Sequence, residues 1–150
     1  MYKEIIKNLE QQLTDKELLE IKIHTMHLGV FTEPYLTYIL NGKKTIESRF
    51  SKNKISPYNK ISKEDLVIIK KSSGDILAYF LIKDILFFDL SKTSIDEIKF
   101  NYNEHLCVDE KFWLAKKNSN YATLIFIDKI VKLNPFHINK KGMLTWIKLN

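Results

Sequence analysis

Apolar residues recur at helical spacing over the first part of the chain. Ile5 and Leu9 lie four residues apart, and the residues that follow keep a period of about 3.6. Thr14 and Glu17 have the spacing of a capping box, in which each side chain accepts a hydrogen bond from the other residue's backbone at a helix start. The pattern therefore predicts a pair of short helices within residues 3–22.

Beyond these helices the pattern mainly predicts strands. Some segments alternate apolar and polar residues, others are apolar throughout, and turn residues separate them. The segments predicted as strands are residues 26–31, 44–50, 65–71, 75–88, 121–133 and 143–149. The segment 32–42 is predicted as a short helix that ends at Gly42, since glycine suits the left-handed position after a helix. Residues 92–117 are predicted as helical in two pieces that separate near Val108.

Six strands with a central hairpin and a late helical insertion indicate an α+β fold that is mainly β. Closure into a small mixed barrel would remove exposed strand edges, and an open α+β sheet is the alternative. We interpret residues 1–24 as a helical extension packed on a domain formed by residues 25–150.

Composition restricts the class of protein without identifying it. A chain of 150 residues, 45% of them hydrophobic, can form one domain with a sizeable core. The net charge of +6 favours a polyanionic partner, although lysine also keeps a surface soluble. No apolar run approaches the roughly 20 residues of a membrane span. The first residues lack the apolar centre of a signal peptide, so we expect a cytoplasmic protein without a membrane partner.

The segment GKKTIESRF, residues 42–50, contains the only arginine of the chain, Arg49. Alternation along a strand places the side chains of Thr45, Glu47 and Arg49 on one face. A guanidinium differs from an ammonium in presenting a planar fork that can bind a carboxylate or phosphate through two parallel bonds. The simpler alternative is a solvent-facing ion pair along the strand, which contributes roughly 0–1 kcal/mol.

The motif Gly42-x-Lys44-Thr45-x-Glu47-x-Arg49, directly after EPYLTYILN, resembles the signature of the ASCH (activating signal cointegrator homology) domain. This family is a branch of the PUA-like superfamily, and the resemblance covers roughly residues 26–133.

The resemblance implies a PUA-like mixed six-stranded barrel with peripheral helices. It also implies a cleft between the first barrel helix and the strands, lined by Lys44, Glu47 and Arg49. Members of the family are associated with RNA or nucleotide binding, so we expect RNA or a nucleotide-like ligand as the partner. In that interpretation Arg49 binds a phosphate or a base edge and Lys44 supplies positive charge. Glu47 orients Arg49 or accepts a hydrogen bond from a base amino group. We expect no cofactor and no obligate protein partner.

An enzyme acting on nucleic acid derivatives is the alternative hypothesis. One branch of the family removes the acetyl group from N4-acetylcytidine with a lysine, a threonine and a glutamate, and another member type is described as a metal-dependent ribonuclease. Lys44 matches the catalytic lysine of the first branch, but Glu47 occupies the position of its threonine. The catalytic candidates are therefore Lys44 and Glu47, and whether the chain is an enzyme stays open.

The polar loop after this strand supplies two further candidates. Tyr58 and Lys54 belong to a lysine-rich loop that could close over a nucleotide, the lysine meeting phosphate while the tyrosine stacks on a base. The predicted ligand-binding residues are Lys44, Thr45, Glu47, Arg49, Lys54 and Tyr58. The four histidines are scattered, and we predict no metal site. A third hypothesis is a protein interaction module without a ligand, in which Phe and Leu side chains would fill the cleft.

Overall fold

The computed structural model describes residues 1–150 and contains five helices and six strands. The helices are α1 (Tyr2–Glu10), α2 (Asp15–Lys22), α3 (Tyr35–Leu40), α4 (Ile95–Leu106) and α5 (Glu110–Lys116). The strands are β1 (Met26–Phe31), β2 (Ile46–Ser51), β3 (Leu66–Lys71), β4 (Ile76–Asp89), β5 (Tyr121–Phe136) and β6 (Trp146–Lys148).

The six strands form one mixed sheet in the order β2-β5-β4-β3-β1-β6. Only β1 and β3 are parallel, and the other neighbouring strands are antiparallel. Register shifts interrupt the pairing of β4 with β5, and such bulges increase the local bend of long strands. The sheet curls into a half-barrel whose edges are β2 and β6, so the predicted α+β architecture with six strands is confirmed.

Local sequence signals account for several element boundaries. The capping box predicted at Thr14 and Glu17 is present, with both reciprocal hydrogen bonds formed. Gly42 follows α3 with φ of +80°, the left-handed conformation that glycine adopts without steric cost. Cys107 ends α4 in the same backbone region, which separates α4 from α5 at the predicted place.

Two strands are shorter than their patterns suggested. Residues 44 and 45 do not join β2, because the Lys44 amide donates to Tyr38 O and the Thr45 amide donates to His105 O. The last strand covers only Trp146–Lys148 of the predicted 143–149.

The core lies on both faces of the sheet. On the outer face, α1 and α2 cover β1 and β3, and Ile5 and Leu9 of α1 are completely buried there. The inner face of the half-barrel is filled by a second cluster that includes Phe31, Phe80 and Trp146. A third cluster packs α4 and α5 against β2 and β5. None of the five helices is both long enough and apolar enough to cross a membrane.

Candidate functional site

A cleft of about 260 Å³ runs beside β2, where α3 and α5 approach the edge of the half-barrel. Its lining combines charged side chains with aromatic ones. The lining residues are Val30, Phe31, Thr32, Tyr35, Lys44, Glu47, Ser48, Arg49, Phe50, Val108, Phe112, Lys116 and Thr145. We refer to this hollow as the β2 cleft.

The turn after α3 carries Lys44 into the protein interior. Its side chain is only 1% exposed, although it carries an ammonium group. The Nζ donates to the carbonyl oxygen of Leu106 over 2.6 Å and lies 3.6 Å from Oε1 of Glu47. Burial lowers the pKa of Lys44, because the charged form loses its hydration, while the carboxylate of Glu47 acts in the opposite direction.

Glu47 joins the two cations of the cleft. One carboxylate oxygen, Oε1, faces Lys44 and accepts a hydrogen bond from the backbone N–H of Ser48 over 3.1 Å. The other oxygen, Oε2, accepts a hydrogen bond from Nε of Arg49 over 3.1 Å and lies 3.0 Å from Nη2 as an ion pair. Lys44, Glu47 and Arg49 thus form a continuous chain of ionised groups along the cleft, and the structure brings these three predicted residues together.

Arg49 has partners on other strands as well as on its own. Its Nη2 donates to Val30 O of β1 over 2.9 Å, and Nη1 donates to Thr145 O over 3.4 Å. The guanidinium carbon lies 4.8 Å from the ring centre of Phe31 and 5.2 Å from that of Trp146. Arg49 therefore connects β2 to β1 and to the segment before β6. β2 and β6 are the two edge strands of the sheet, and no backbone pairing joins them.

These contacts occupy most of the guanidinium's hydrogen-bonding capacity. Of its five N–H donors, the Nε donor is bound to Glu47, one Nη2 donor to Val30 O and one Nη1 donor to Thr145 O. One donor on each terminal nitrogen makes no hydrogen bond, and Nη2 also forms the ion pair with Glu47. The fork predicted for an external phosphate is thus directed mainly at groups of the protein itself.

Aromatic side chains form the wall of the cleft opposite this ionised chain. Phe112 of α5 meets Tyr35 and Phe50 edge to face, with ring centres 5.9 Å apart in both pairs. Lys116, one turn further along α5, holds its Nζ 5.3 Å from the ring centre of Phe112. Burial raises the pKa of the Tyr35 hydroxyl, and the negative charges of Asp109 and Glu47 act in the same direction.

Sequence reasoning missed the contribution of α5. The helix was predicted, but nothing in the sequence indicated that it contacts β2, which ends at Ser51, far before α5 begins at Glu110. The only available signal was the pair of adjacent aromatic residues Phe112 and Trp113, of which the first faces the cleft and the second is buried in the core.

The other predicted binding residues lie away from the β2 cleft. Tyr58 is only 8% exposed and packs its ring against Tyr121, with ring centres 4.8 Å apart. The Nζ of Lys54 lies 5.5 Å from the centre of the same Tyr121 ring. Thr45 is exposed and directs its hydroxyl toward His105 Nδ1, 3.5 Å away. The structure thus places these residues in separate surroundings from Lys44, Glu47 and Arg49.

Comparison with known proteins gives the same fold. The crystal structure of ASCH from Zymomonas mobilis superposes with a TM-score of 0.66 at 12% identity, covering 84% of this chain and 88% of that chain. A point mutant of the same protein gives a TM-score of 0.67 at 13% identity, covering 85% and 91%. At such identities the likeness establishes the fold alone. No curated protein matches the sequence.

The sequence itself matches the model of one protein family. The ASCH domain model matches residues 30–141, which is most of the chain. This range contains β2 with the ionised chain and α5 with the aromatic wall. The chain belongs to the ASCH domain family.

Proposed function

We propose that this protein binds RNA or a nucleotide-like ligand in the β2 cleft. Membership of the ASCH family supports a nucleic-acid-related domain, since members of this family are associated with RNA or nucleotide binding. The net charge of +6 is consistent with a polyanionic partner. The cleft is also large enough for a flat ring, at about 260 Å³.

The observation that carries the proposal is the pairing of an ionised chain with an aromatic wall in one hollow. Glu47 can accept from a base amino group, and Lys44 and Arg49 each retain N–H donors that make no hydrogen bond within the protein and could bind a base oxygen or nitrogen. Phe112 and Tyr35 supply surfaces on which a base can stack.

Phe112→Ala tests the proposal, with Leu114→Ala as its matched control on the same helix. Phe112 lines the cleft, whereas Leu114 is 64% exposed and lies outside it. Base–aromatic stacking contributes ~1–3 kcal/mol per base, so we expect the first change to weaken binding about five- to hundredfold. The second change is expected to leave the affinity unaltered.

The measurement is calorimetric titration with the four ribonucleosides, their monophosphates and a short single-stranded RNA. Thermal unfolding of each variant provides the check on folding. Absence of binding by the unmodified protein to every member of the panel would refute the proposed function. If both substitutions weaken binding equally, the ligand does not bind in the β2 cleft.

Catalysis on a nucleic acid derivative is a second candidate, supported by the buried amine of Lys44. Burial lowers the pKa of this lysine, which increases the fraction of neutral amine that can act as a base at a given pH. Turnover of N4-acetylcytidine or of RNA would therefore rise as the pH passes the lowered pKa of Lys44. Product analysis of wild-type protein and Lys44→Met, with and without Mg²⁺ or Mn²⁺, tests this. Undiminished turnover by the variant would remove Lys44 from the reaction.

A further inference from the structure

We propose that Lys116 receives the phosphate of a nucleotide bound in the β2 cleft, so that the cleft selects phosphorylated nucleosides or RNA over free nucleosides. The inference rests on the proposed function and deepens it by naming the class of ligand and the residue that selects it. Lys116 belongs to α5 and lies outside the motif at residues 42–50 that resembles the family signature.

The two interior cations are poorly suited to an external phosphate because most of their N–H groups already face acceptors within the protein and Lys44 is almost completely buried. Lys44 and Arg49 both contact the carboxylate of Glu47, at 3.6 and 3.0 Å. Their other hydrogen bonds are with backbone oxygens, those of Leu106, Val30 and Thr145. To bind a phosphate dianion there, the protein would have to break several of these hydrogen bonds or place the phosphate against the carboxylate of Glu47.

Lys116 differs from both of them in having no acidic partner. It lines the cleft and is partly exposed, and it takes part in none of the ion pairs of the protein. Its ammonium is held near the ring of Phe112, with Nζ 5.3 Å from the ring centre. Lys116 is thus the partly exposed cation of the cleft that has no acidic partner.

The position of Lys116 also suits the shape of a nucleotide. A base packed on the aromatic wall formed by Tyr35, Phe50 and Phe112 would lie in the interior of the cleft. The ribose and phosphate are the strongly hydrated parts of a nucleotide and would face the solvent end. Lys116 is the partly exposed cation beside the same wall, so its flexible side chain can reach a phosphate there.

Two neighbouring lysines allow a matched test. Lys117 follows Lys116 directly but lines a different hollow, between α4 and α5, together with Lys99 and Glu110. Lys116→Gln and Lys117→Gln therefore remove the same charge from the same helix end, and only the first removes it from the β2 cleft. Lys116→Arg keeps the charge and serves as the conservative variant.

The experiment measures the affinities of cytidine, uridine, adenosine and guanosine and of their 5′- and 3′-monophosphates for each protein. The wild-type protein is expected to bind the preferred monophosphate at least about tenfold more tightly than its nucleoside, as a charge-assisted phosphate contact provides. Lys116→Gln should lose this preference while its affinity for the nucleoside stays the same. Lys117→Gln and Lys116→Arg should retain the preference.

The outcomes separate this inference from the function on which it rests. If nucleoside and monophosphate bind the wild-type protein equally, the cleft is a base site and the phosphate inference is overturned. If the preference survives in Lys116→Gln, another residue holds the phosphate and the assignment is overturned. If neither ligand binds at all, the proposed function fails, and this inference fails with it.

Discussion

The single arginine of the chain lies where the two edges of the curled sheet face each other. Arg49 on β2 donates to Val30 O on β1 and to Thr145 O just before β6. It does so while stacked near Phe31 and Trp146. A lysine ammonium lacks the planar fork that satisfies carboxylate and carbonyl partners in different directions at once. The structure therefore explains the arginine first as a connection between strands.

Arg49→Lys is expected to destabilise the protein by about 2–3 kcal/mol. Hydrogen bonds from a charged donor contribute roughly 1.5–3 kcal/mol each, and a lysine cannot replace all of those that Arg49 makes. Urea unfolding measures the difference. Lys52→Ala, which changes an exposed lysine directly after β2, is the control and should alter stability by less than about 0.5 kcal/mol. A free energy of unfolding for Arg49→Lys equal to that of the wild type would show that the contacts across the strand edges contribute nothing.

The rarity of arginine in the sequence pointed to Arg49 and its neighbour Glu47 was a predicted partner, but the partners on other strands could not be predicted. The acceptors on Val30 and Thr145 are backbone carbonyls, and their positions depend on how the whole sheet curls. For Tyr58, the local sequence predicted solvent exposure and the structure shows burial. It lies in a polar, lysine-rich stretch, which indicates a solvated loop, yet its ring packs on Tyr121 because the loop folds back against β5.

At the scale of elements, local signals were informative wherever a cap, a turn or a clear period marked the boundary. β1 covers residues 26–31 as its pattern predicted, and Thr14 caps α2 through the predicted capping box. The contacts between elements were not encoded locally. The cleft depends on contact between α5 and β2, which are far apart in the sequence, and no period or spacing indicates that contact.

The N-terminal helices contribute to the core although the family match begins only at residue 30. Leu9 of α1 is 0% exposed and packs against the outer face of the sheet, whereas Leu19 of α2 is 66% exposed. We expect Leu9→Ala to cost about 2–5 kcal/mol of stability, as deletion of a buried leucine side chain does elsewhere. Leu19→Ala makes the same chemical change at the surface and should cost less than about 0.5 kcal/mol.

Chemical unfolding of these two variants, together with RNA titration, tests whether α1 and α2 form part of the domain. Because the helices cover the face of the sheet opposite the β2 cleft, neither change should alter affinity for RNA while the protein is folded. Similar stabilities for the two variants would mean that α1 packs only loosely on the sheet. Weaker RNA binding by folded Leu9→Ala would place part of the ligand site on this face.

At the scale of the whole molecule, the distribution of charge suggests that a longer RNA touches more of the surface than the cleft. The exposed side chains of Lys43 and Lys52 lie shortly before and directly after β2 in the sequence, and Lys116 lines the cleft beside this strand. An extended strand of RNA along this edge would therefore place successive phosphates near three lysines. Each phosphate contact with single-stranded RNA adds about 0.7 to the magnitude of the slope of log affinity against log salt concentration.

We therefore expect a slope of about −2 for a ten-nucleotide single-stranded RNA, as roughly three phosphate contacts would give. The double variant Lys43→Ala, Lys52→Ala should reduce its magnitude by about 1.4, since two of those contacts are lost. Lys3→Ala, Lys16→Ala removes two exposed lysines from α1 and α2 and leaves the net charge equal to that of the first double variant, so its slope should stay near that of the wild type. Equal slopes for the two double variants would mean that the RNA responds to net charge alone, and that the edge along β2 is not its path.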